Sequence, residues 1–312
     1  MTSALVHPQI RANADAIAME FASAQPYRHV VLEDFFTPEY AHALLAQFPE
    51  FDTKHALNEA GLVGNKAVVE RIRGIGAQYA VLDDLVKSEA FLALVSKLTS
   101  ISDLLYDPYY FGGGTHENRH GQDLDPHIDF NRHPVEAWHR RLNLIVYLNP
   151  DWQADWGGNL EVHSDPHALD NKIKAITPSF NRCVIFETNE ISWHGFNRID
   201  LPAAHADKSR KSIALYFYTK TRPLEELGDT HSTIYVDRPL PARLCAGHQL
   251  DAQDMQILNV SIARRDQHIQ RLYRNATAVQ KQLEQANAAL QRGALGRLIY
   301  FVRRFLQRLL AH

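Results

Sequence analysis

The chain has 312 residues, of which 45% are hydrophobic and 22% are charged, and its formal net charge is -3. This composition is that of a folded globular protein, and the small negative charge predicts no nucleic-acid partner. The two cysteines, Cys183 and Cys245, lack the spacing of a metal or redox motif, so no disulfide framework is expected.

Neither a secretory signal nor a transmembrane segment is recognisable. The first residues lack a basic segment followed by an apolar stretch, and no run of about 18 apolar residues occurs in the chain. We therefore expect a cytoplasmic protein.

The N-terminal part predicts a strand followed by helices. The run HVVLEDFF, from His29, is rich in β-forming residues and ends before Thr37 and Pro38, which suit the N-cap and first turn of a helix. A helix is predicted over PEYAHALLAQF, and the apolar spacing of EAFLALVSKLTSI predicts a second.

From Tyr109 to about Thr219 the chain predicts short strands. The β-rich segments are DPHIDF, RLNLIVYLN, NLEVHS, NRCVIFET and KSIALYFYT. Gly157 and Gly158 separate the second from the third, as in a turn between antiparallel strands. We predict a mainly β fold with α-helices: a double-stranded β-helix (jelly roll) core with an N-terminal helical layer.

The C-terminal region, residues 250–312, predicts a helical appendage to a domain formed by residues 1–245. Between Leu258 and Leu290 the apolar positions advance by steps of four and three, as in a heptad seam. A homodimeric coiled coil through residues 258–290 and a long helix lying on its own domain both fit this spacing.

The last residues predict a basic amphipathic helix. In GALGRLIYFVRRFLQRLLAH the apolar residues share one face, and the charges are arginines without acids. Residues 294–312 suit the inner face of an anionic membrane, a partner groove or the protein's own surface.

Metal-ligating residues are suggested by three His-x-Asp pairs. They are His127/Asp129, His163/Asp165 and His205/Asp207. Residues two apart in a strand project from the same face, and only the first pair lies inside an extended run, so that pair is selected. The second pair ends a strand, and the third lies in a polar loop.

His194 is the candidate third ligand. It follows the strand NRCVIFET and lies about 65 residues beyond Asp129, which leaves room for several strands. Two neutral imidazoles and one carboxylate suit Fe(II), and they leave three coordination positions open, as many as a bidentate 2-oxo acid and dioxygen require.

A dicarboxylic cosubstrate also needs a cation for its far end. Arg210 opens RKSIALYFYT and shares a strand face with Ser212, so both could bind one carboxylate. Alternation also places Asn143 and Tyr147 on one face of RLNLIVYLN, and the Tyr147 phenol could add a hydrogen bond.

Taken in order, the segments PHIDFN, RRLNLIVYLNPDWQADWGGNLEV, SWHG and RKSIALYFYT resemble the prolyl 4-hydroxylase-like branch of the iron(II)/2-oxoglutarate-dependent dioxygenases. The tract 140–162 is similar to the hypoxia-sensing prolyl hydroxylases. The resemblance covers a core of about residues 107–220. It implies iron ligation by His127, Asp129 and His194, and cosubstrate binding by Tyr147 and Arg210. The interval from His194 to Arg210 is longer than usual, which leaves Lys208 and Lys211 as alternatives.

The resemblance implies hydroxylation of an unactivated C–H bond, with decarboxylation of 2-oxoglutarate to succinate and ascorbate as reductant. The carboxylate ligand, Asp129, favours hydroxylation over halogenation. The segment 109–125 suits a substrate lid, from which Tyr110 or Tyr109 could reach the cosubstrate. The substrate could be a protein residue or a glycolipid or polysaccharide sugar. A cupin-like metal enzyme independent of 2-oxoglutarate and a catalytically silent binding module stay open as alternatives.

Overall fold

The structure is a computed structural model that describes residues 4–51, 67–241, 243–293, 295–296 and 302. It contains two compact units, residues 1–238 and residues 239–312. The sequence placed the corresponding boundary a few residues later, between residues 245 and 250. The candidate site lies wholly in the first unit.

The helices of the first unit are α1 (Pro8–Ala12), α2 (Ala14–Ser23), α3 (Pro38–Ala46), α4 (Ala77–Val86) and α5 (Glu89–Thr99). α3 begins with Pro38 in its first turn, where a missing backbone N–H costs nothing. α5 begins after Ser88, whose hydroxyl accepts the backbone N–H of Phe91. The two helices predicted from the sequence therefore form, close to the expected residues.

Twelve strands are found in the described residues. They are β1 (His29–Leu32), β2 (Ala67–Val69), β3 (Leu105–Tyr106), β4 (Gly114–Asn118), β5 (Leu124–Ile128), β6 (His139–Tyr147), β7 (Leu160–His163), β8 (Ile173–Ile176), β9 (Cys183–Glu187), β10 (His194–Phe196), β11 (Arg210–Thr219) and β12 (Ile234–Tyr235). All their pairings are antiparallel. The larger sheet has the order β1-β9-β6-β11-β4-β2, with β3 on β11, and the smaller has the order β12-β5-β10-β7-β8. The double-stranded β-helix predicted from the sequence is confirmed.

The main hydrophobic core lies between the helices and one face of the larger sheet. Leu142 and Leu144 of β6 and Phe217 of β11 are buried there together with residues of α2 to α5. Each fully buried side chain of this kind contributes roughly 1.5–3 kcal/mol. Because side chains alternate along a strand, Asn143 and Tyr147 point to the opposite face, which leads toward the smaller sheet.

Several strands were not expected from the sequence. β4 lies inside the segment 109–125 that was interpreted as a lid loop, so this interpretation is wrong for residues 114–118. β4 is short and polar, and its partner β11 lies about 100 residues further along the chain. Its local sequence therefore shows no alternating pattern of a strand. β12 adds an edge to the smaller sheet beside β5.

The second unit contains one long helix, α6 (Ala252–Arg292), which begins with a capping box between Asp251 and Asp254. Of the predicted heptad seam, Ile262, Leu272 and Leu283 are exposed. The coiled coil stays a prediction. The predicted basic amphipathic helix lies outside the described residues except for positions 295, 296 and 302. In the described part of the chain, no helix is long and apolar enough to cross a membrane.

Candidate metal centre and cosubstrate pocket

Two neighbouring strands of the smaller sheet bring the three predicted metal ligands together. His194 of β10 stands opposite His127 of β5 in the antiparallel register, and their ring centroids are 4.3 Å apart. Asp129 follows β5 directly. Its Oδ1 lies 3.8 Å from His127 Nε2 and its Oδ2 lies 3.4 Å from His194 Nε2. One ligand atom from each residue lies within 4.8 Å of the others, so a single ion can contact all three.

Backbone carbonyls fix which imidazole nitrogens face this centre. His127 Nδ1 lies 2.9 Å from the carbonyl of Asp125, and His194 Nδ1 lies 2.8 Å from that of Ser192. A carbonyl only accepts, so each Nδ1 is assigned the proton and each Nε2 keeps its lone pair for a metal. Burial lowers the pKa of His194, which favours the neutral, ligating form.

Asp129, the carboxylate among the three ligands, is held in its ionised form. Burial by itself raises the pKa of Asp129, but the neighbouring Arg140 guanidinium holds that pKa well below its usual range. Asn143 Nδ2 also donates to Asp129 Oδ2 at 2.8 Å. Two neutral imidazole nitrogens and one carboxylate oxygen form a donor set that fits Fe(II) with coordination positions left open.

The other two His-x-Asp pairs do not form such a centre. Within the described ranges, neither belongs to a group of three metal-ligating side chains. His163 lies beside Glu161 and Asn171, and His205 packs against Trp156. Strand phase therefore selected the pair that the structure brings together with a third ligand.

The predicted cosubstrate residues lie on adjacent strands of the larger sheet. Ser212 of β11 stands opposite Tyr147 of β6. Arg210 Nε donates to the Gly158 carbonyl at 2.6 Å, and Arg210 Nη2 lies 3.4 Å from the Tyr147 hydroxyl. The double-glycine turn between β6 and β7 thus anchors the guanidinium and directs it toward Tyr147.

Arg210 is buried without a counter-charge from the described residues. Its side chain is 5% exposed, its hydrogen bonds go to neutral oxygens, and its guanidinium lies over the rings of Phe196 and Tyr147. Burial lowers its pKa. Burying a cation without an anion is costly, so an entering carboxylate would find a strong partner here. Of the two alternative cations, Lys211 pairs with Glu117 at 3.5 Å and Lys208 lies over the Trp156 ring, and neither lines the cavity around Arg210.

The metal and cosubstrate residues share one cavity of about 280 Å³. This is space for a small molecule. The predicted residues in its wall are His127, Asp129, His194, Asn143, Tyr147, Arg210 and Ser212. The sequence did not predict Arg140, Asn118, Tyr216 and Tyr235, which also line it.

Tyr110 does not reach this cavity, which corrects the prediction that it contacts the cosubstrate. Its hydroxyl donates to Asp83 Oδ1 at 2.9 Å, and it borders a separate small cavity. Tyr110 has φ +53°, in the left-handed region that is uncommon for residues other than glycine. Tyr109 contacts Glu136 at 3.0 Å.

The three histidines that were considered as substrate contacts have different surroundings. His116 lines the cavity from β4. His133 is buried against Asp107, and His120 accepts the backbone N–H of Leu201. Only His116 therefore keeps a place in the candidate site.

Arg140 was missed because of a local irregularity in the sheet. Simple alternation from Asn143 places Arg141, and not Arg140, on the cavity face. The register between β6 and β11 shifts at Phe217 and Tyr218, so that Arg140 lies opposite Tyr218 and turns into the cavity. A bulge of this kind leaves no clear signal in a single sequence.

Comparison with known proteins covers mainly this region. Residues 113–218 match the family model described as the 2OG-Fe(II) oxygenase superfamily. Prolyl 3-hydroxylase OGFOD1 of Mus musculus is 33% identical over 118 residues, which is 33% of this chain. The match spans 21% of the mouse protein, about a fifth of its length.

Two prolyl hydroxylases are among the solved structures to which the chain shows similarity. The enzyme of Trichoplax adhaerens, in complex with a hypoxia-inducible factor peptide, has a TM-score of 0.47 and 17% identity, covering 67% of this chain and 92% of that chain. A prolyl 4-hydroxylase of Phytophthora capsici has a TM-score of 0.47 and 16% identity, covering 82% and 74%.

Proposed function

We propose that this chain, whose core is that of a 2OG-Fe(II) oxygenase of the prolyl hydroxylase type, hydroxylates an unactivated C–H bond in a protein substrate. Prolyl residues are the first candidates, because the mouse relative is named a prolyl 3-hydroxylase. Three aromatic residues of the cavity wall, Phe130, Tyr216 and Tyr235, could pack against a compact saturated ring such as that of proline.

The observation that carries this proposal is the buried charge of Arg210 in the same cavity as the three metal ligands. A metal enzyme that used no dicarboxylic cosubstrate would have no need to bury a cation without a counter-charge. 2-Oxoglutarate supplies a carboxylate for Arg210 and Tyr147 at one end, and a 2-oxo acid group for the metal at the other.

The residues of the chain have separate tasks in this reaction. His127, Asp129 and His194 would hold Fe(II), and Arg210 with Tyr147 would bind and orient the cosubstrate. When bound, iron, 2-oxoglutarate and dioxygen supply the oxidation, with release of succinate and carbon dioxide. The walls of the cavity exclude water around the target C–H bond.

The first experiment measures succinate formed from 2-oxoglutarate with Fe(II) and ascorbate. We expect turnover by the wild type, and none by Asp129→Ala. Arg210→Met should raise the KM for 2-oxoglutarate about 10- to 100-fold, because charge-assisted hydrogen bonds are worth about 1.5–3 kcal/mol. Arg141→Met is the matched control, since Arg141 is also a buried arginine but pairs with Glu187 outside the cavity.

The alternatives predict other outcomes. A cupin-like enzyme independent of 2-oxoglutarate would bind metal without forming succinate, and a binding module would bind none. A sugar substrate would stimulate succinate formation where proline-containing peptides do not. Mass spectrometry that finds no added oxygen atom on any such peptide, together with stimulation by a glycan, would contradict the protein substrate.

The cytoplasmic location, the membrane contact through residues 294–312 and the homodimer through residues 258–290 remain proposals. Exposed apolar residues along α6, such as Leu272 and Leu283, support the last of these. Ascorbate is likewise proposed as the reductant.

A further inference from the structure

Arg140 and Asn143 both reach the Asp129 carboxylate from β6, and we call this pair the brace. Asn143 Nδ2 donates to Asp129 Oδ2 at 2.8 Å, and Arg140 Nη2 lies 3.1 Å from the same oxygen. Arg140 also donates through Nε and Nη2 to Asn143 Oδ1, at 3.1 and 2.8 Å. The Asn143 amide receives from one neighbour and donates to the other, so its orientation is fixed.

Aromatic rings hold the guanidinium of the brace in place. Arg140 is 1% exposed, and its Cζ lies 3.7 Å from the ring centroid of Tyr216 and 4.5 Å from that of Phe130. The Tyr216 hydroxyl donates in turn to the Gly112 carbonyl at 3.0 Å. Because a planar guanidinium between two rings has few alternative orientations, the brace is stiff.

Neutralising Asp129 does not explain the brace. A bound metal ion would itself neutralise the carboxylate, and a permanent cation 3.1 Å from a metal ligand then repels the ion. The brace therefore opposes metal binding electrostatically. What it provides is geometric, since both of its contacts are made to Oδ2 of Asp129.

Carboxylates bind metals through one oxygen or through both. Oδ2 lies 3.4 Å from His194 Nε2, but it already accepts the hydrogen bond from Asn143 and the ion pair with Arg140. Oδ1, which lies 3.8 Å from His127 Nε2, is therefore the oxygen that remains for the metal. Coordination through both oxygens would occupy one of the three positions that a bidentate 2-oxo acid and dioxygen require.

We propose that Arg140 and Asn143 are positioning residues that make Asp129 a one-oxygen metal ligand, and so keep three coordination positions open. The inference rests on the proposed function, because the number of open positions matters only if the metal must accept both the cosubstrate and dioxygen.

The test uses Mn(II) alone with the full chain, and measures metal affinity and the water-proton relaxivity of the bound ion. The wild type should carry three inner-sphere waters. Asn143→Ala and Arg140→Met should carry two, so that the inner-sphere relaxivity per bound ion falls by about one third as Asp129 takes up a second position. Metal affinity should fall about 10- to 100-fold in Asn143→Ala, and less in Arg140→Met because the repulsion is removed as well.

The matched control is Arg141→Met, which removes the neighbouring buried arginine of β6 and its 3.4 Å contact with Glu187. Its relaxivity should equal that of the wild type. Circular dichroism checks the fold of each variant, and if Arg140→Met does not fold, Asn143→Ala carries the test.

Two failures are distinguishable. A wild type that binds no Mn(II) would overturn the proposed function and this inference together. A wild type with three waters, and variants with the same number, would overturn the inference alone. A lower affinity with an unchanged number of waters belongs to that second outcome, because a merely structural role changes affinity and not coordination.

Discussion

The two ends of the cavity each contain a buried arginine, but only one of the two has an anionic partner among the described residues. Arg140, at the metal end, lies 3.1 Å from Asp129 and bonds Asn143. Arg210, at the far end, donates hydrogen bonds to the neutral oxygens of Gly158 and Tyr147. At the metal end the charge of Arg140 is therefore balanced by Asp129 without a ligand. At the far end the charge of Arg210 is balanced only when an anion binds. Under the proposed function the far end is where the cosubstrate carboxylate would bind, and the difference in charge predicts opposite effects of mutation at the two ends.

The largest effect is expected at the metal end. Asp129→Ala leaves Arg140 buried without its carboxylate, and breaking a buried pair in this way costs about 3–5 kcal/mol. The metal-free variant should lose stability by this amount in urea unfolding. Asp129→Asn, which keeps an oxygen acceptor, should lose less. Equal stability of the wild type and Asp129→Ala would contradict the pairing with Arg140.

At the far end, replacing the arginine should raise the free energy of unfolding instead of lowering it. Arg210→Met removes a buried cation that has no counter-charge among the described residues, so the ligand-free protein should gain about 1–2 kcal/mol in unfolding free energy. Excess 2-oxoglutarate with Mn(II) should raise the Tm of the wild type more than that of this variant. A loss of stability on replacing Arg210 would show that the two arginines are equivalent.

The smallest effect concerns the phenol beside Arg210. The Tyr147 hydroxyl lies 3.4 Å from Arg210 Nη2, a long hydrogen bond, and it would share the cosubstrate carboxylate. Tyr147→Phe should raise the KM for 2-oxoglutarate about 2- to 10-fold, since a neutral hydrogen bond is worth about 0.5–1.5 kcal/mol. An unchanged KM would show that the Tyr147 hydroxyl does not contribute to binding 2-oxoglutarate.

The parts of the site that could be predicted are those governed by strand phase. Residues two apart project together, so His127 with Asp129, and Arg210 with Ser212, were placed correctly relative to each other from the sequence. The short β-rich segments between Tyr109 and about Thr219 also predicted the double-stranded β-helix.

What could not be predicted depends on contacts distant in sequence. Arg140 faces the cavity because the register with β11 shifts, and Tyr110 lies outside the cavity with its hydroxyl donating to Asp83. Tyr235 lies in a two-residue strand paired with β5, and its ring stacks on His127 at 5.1 Å. No local pattern marks a bulge, a single turned residue or so short an edge strand.

The turn formed by Gly157 and Gly158 limits how this protein could be redesigned. Both residues have positive φ, and a Cβ would lie 1.9 Å from the Arg198 carbonyl at the first and 3.0 Å from Arg210 Cδ at the second. The carbonyl that anchors Arg210 belongs to the second. Under the proposed function, a redesign for a longer or shorter dicarboxylic acid could not replace Arg210 alone, because the backbone turn that orients this arginine would have to be rebuilt as well.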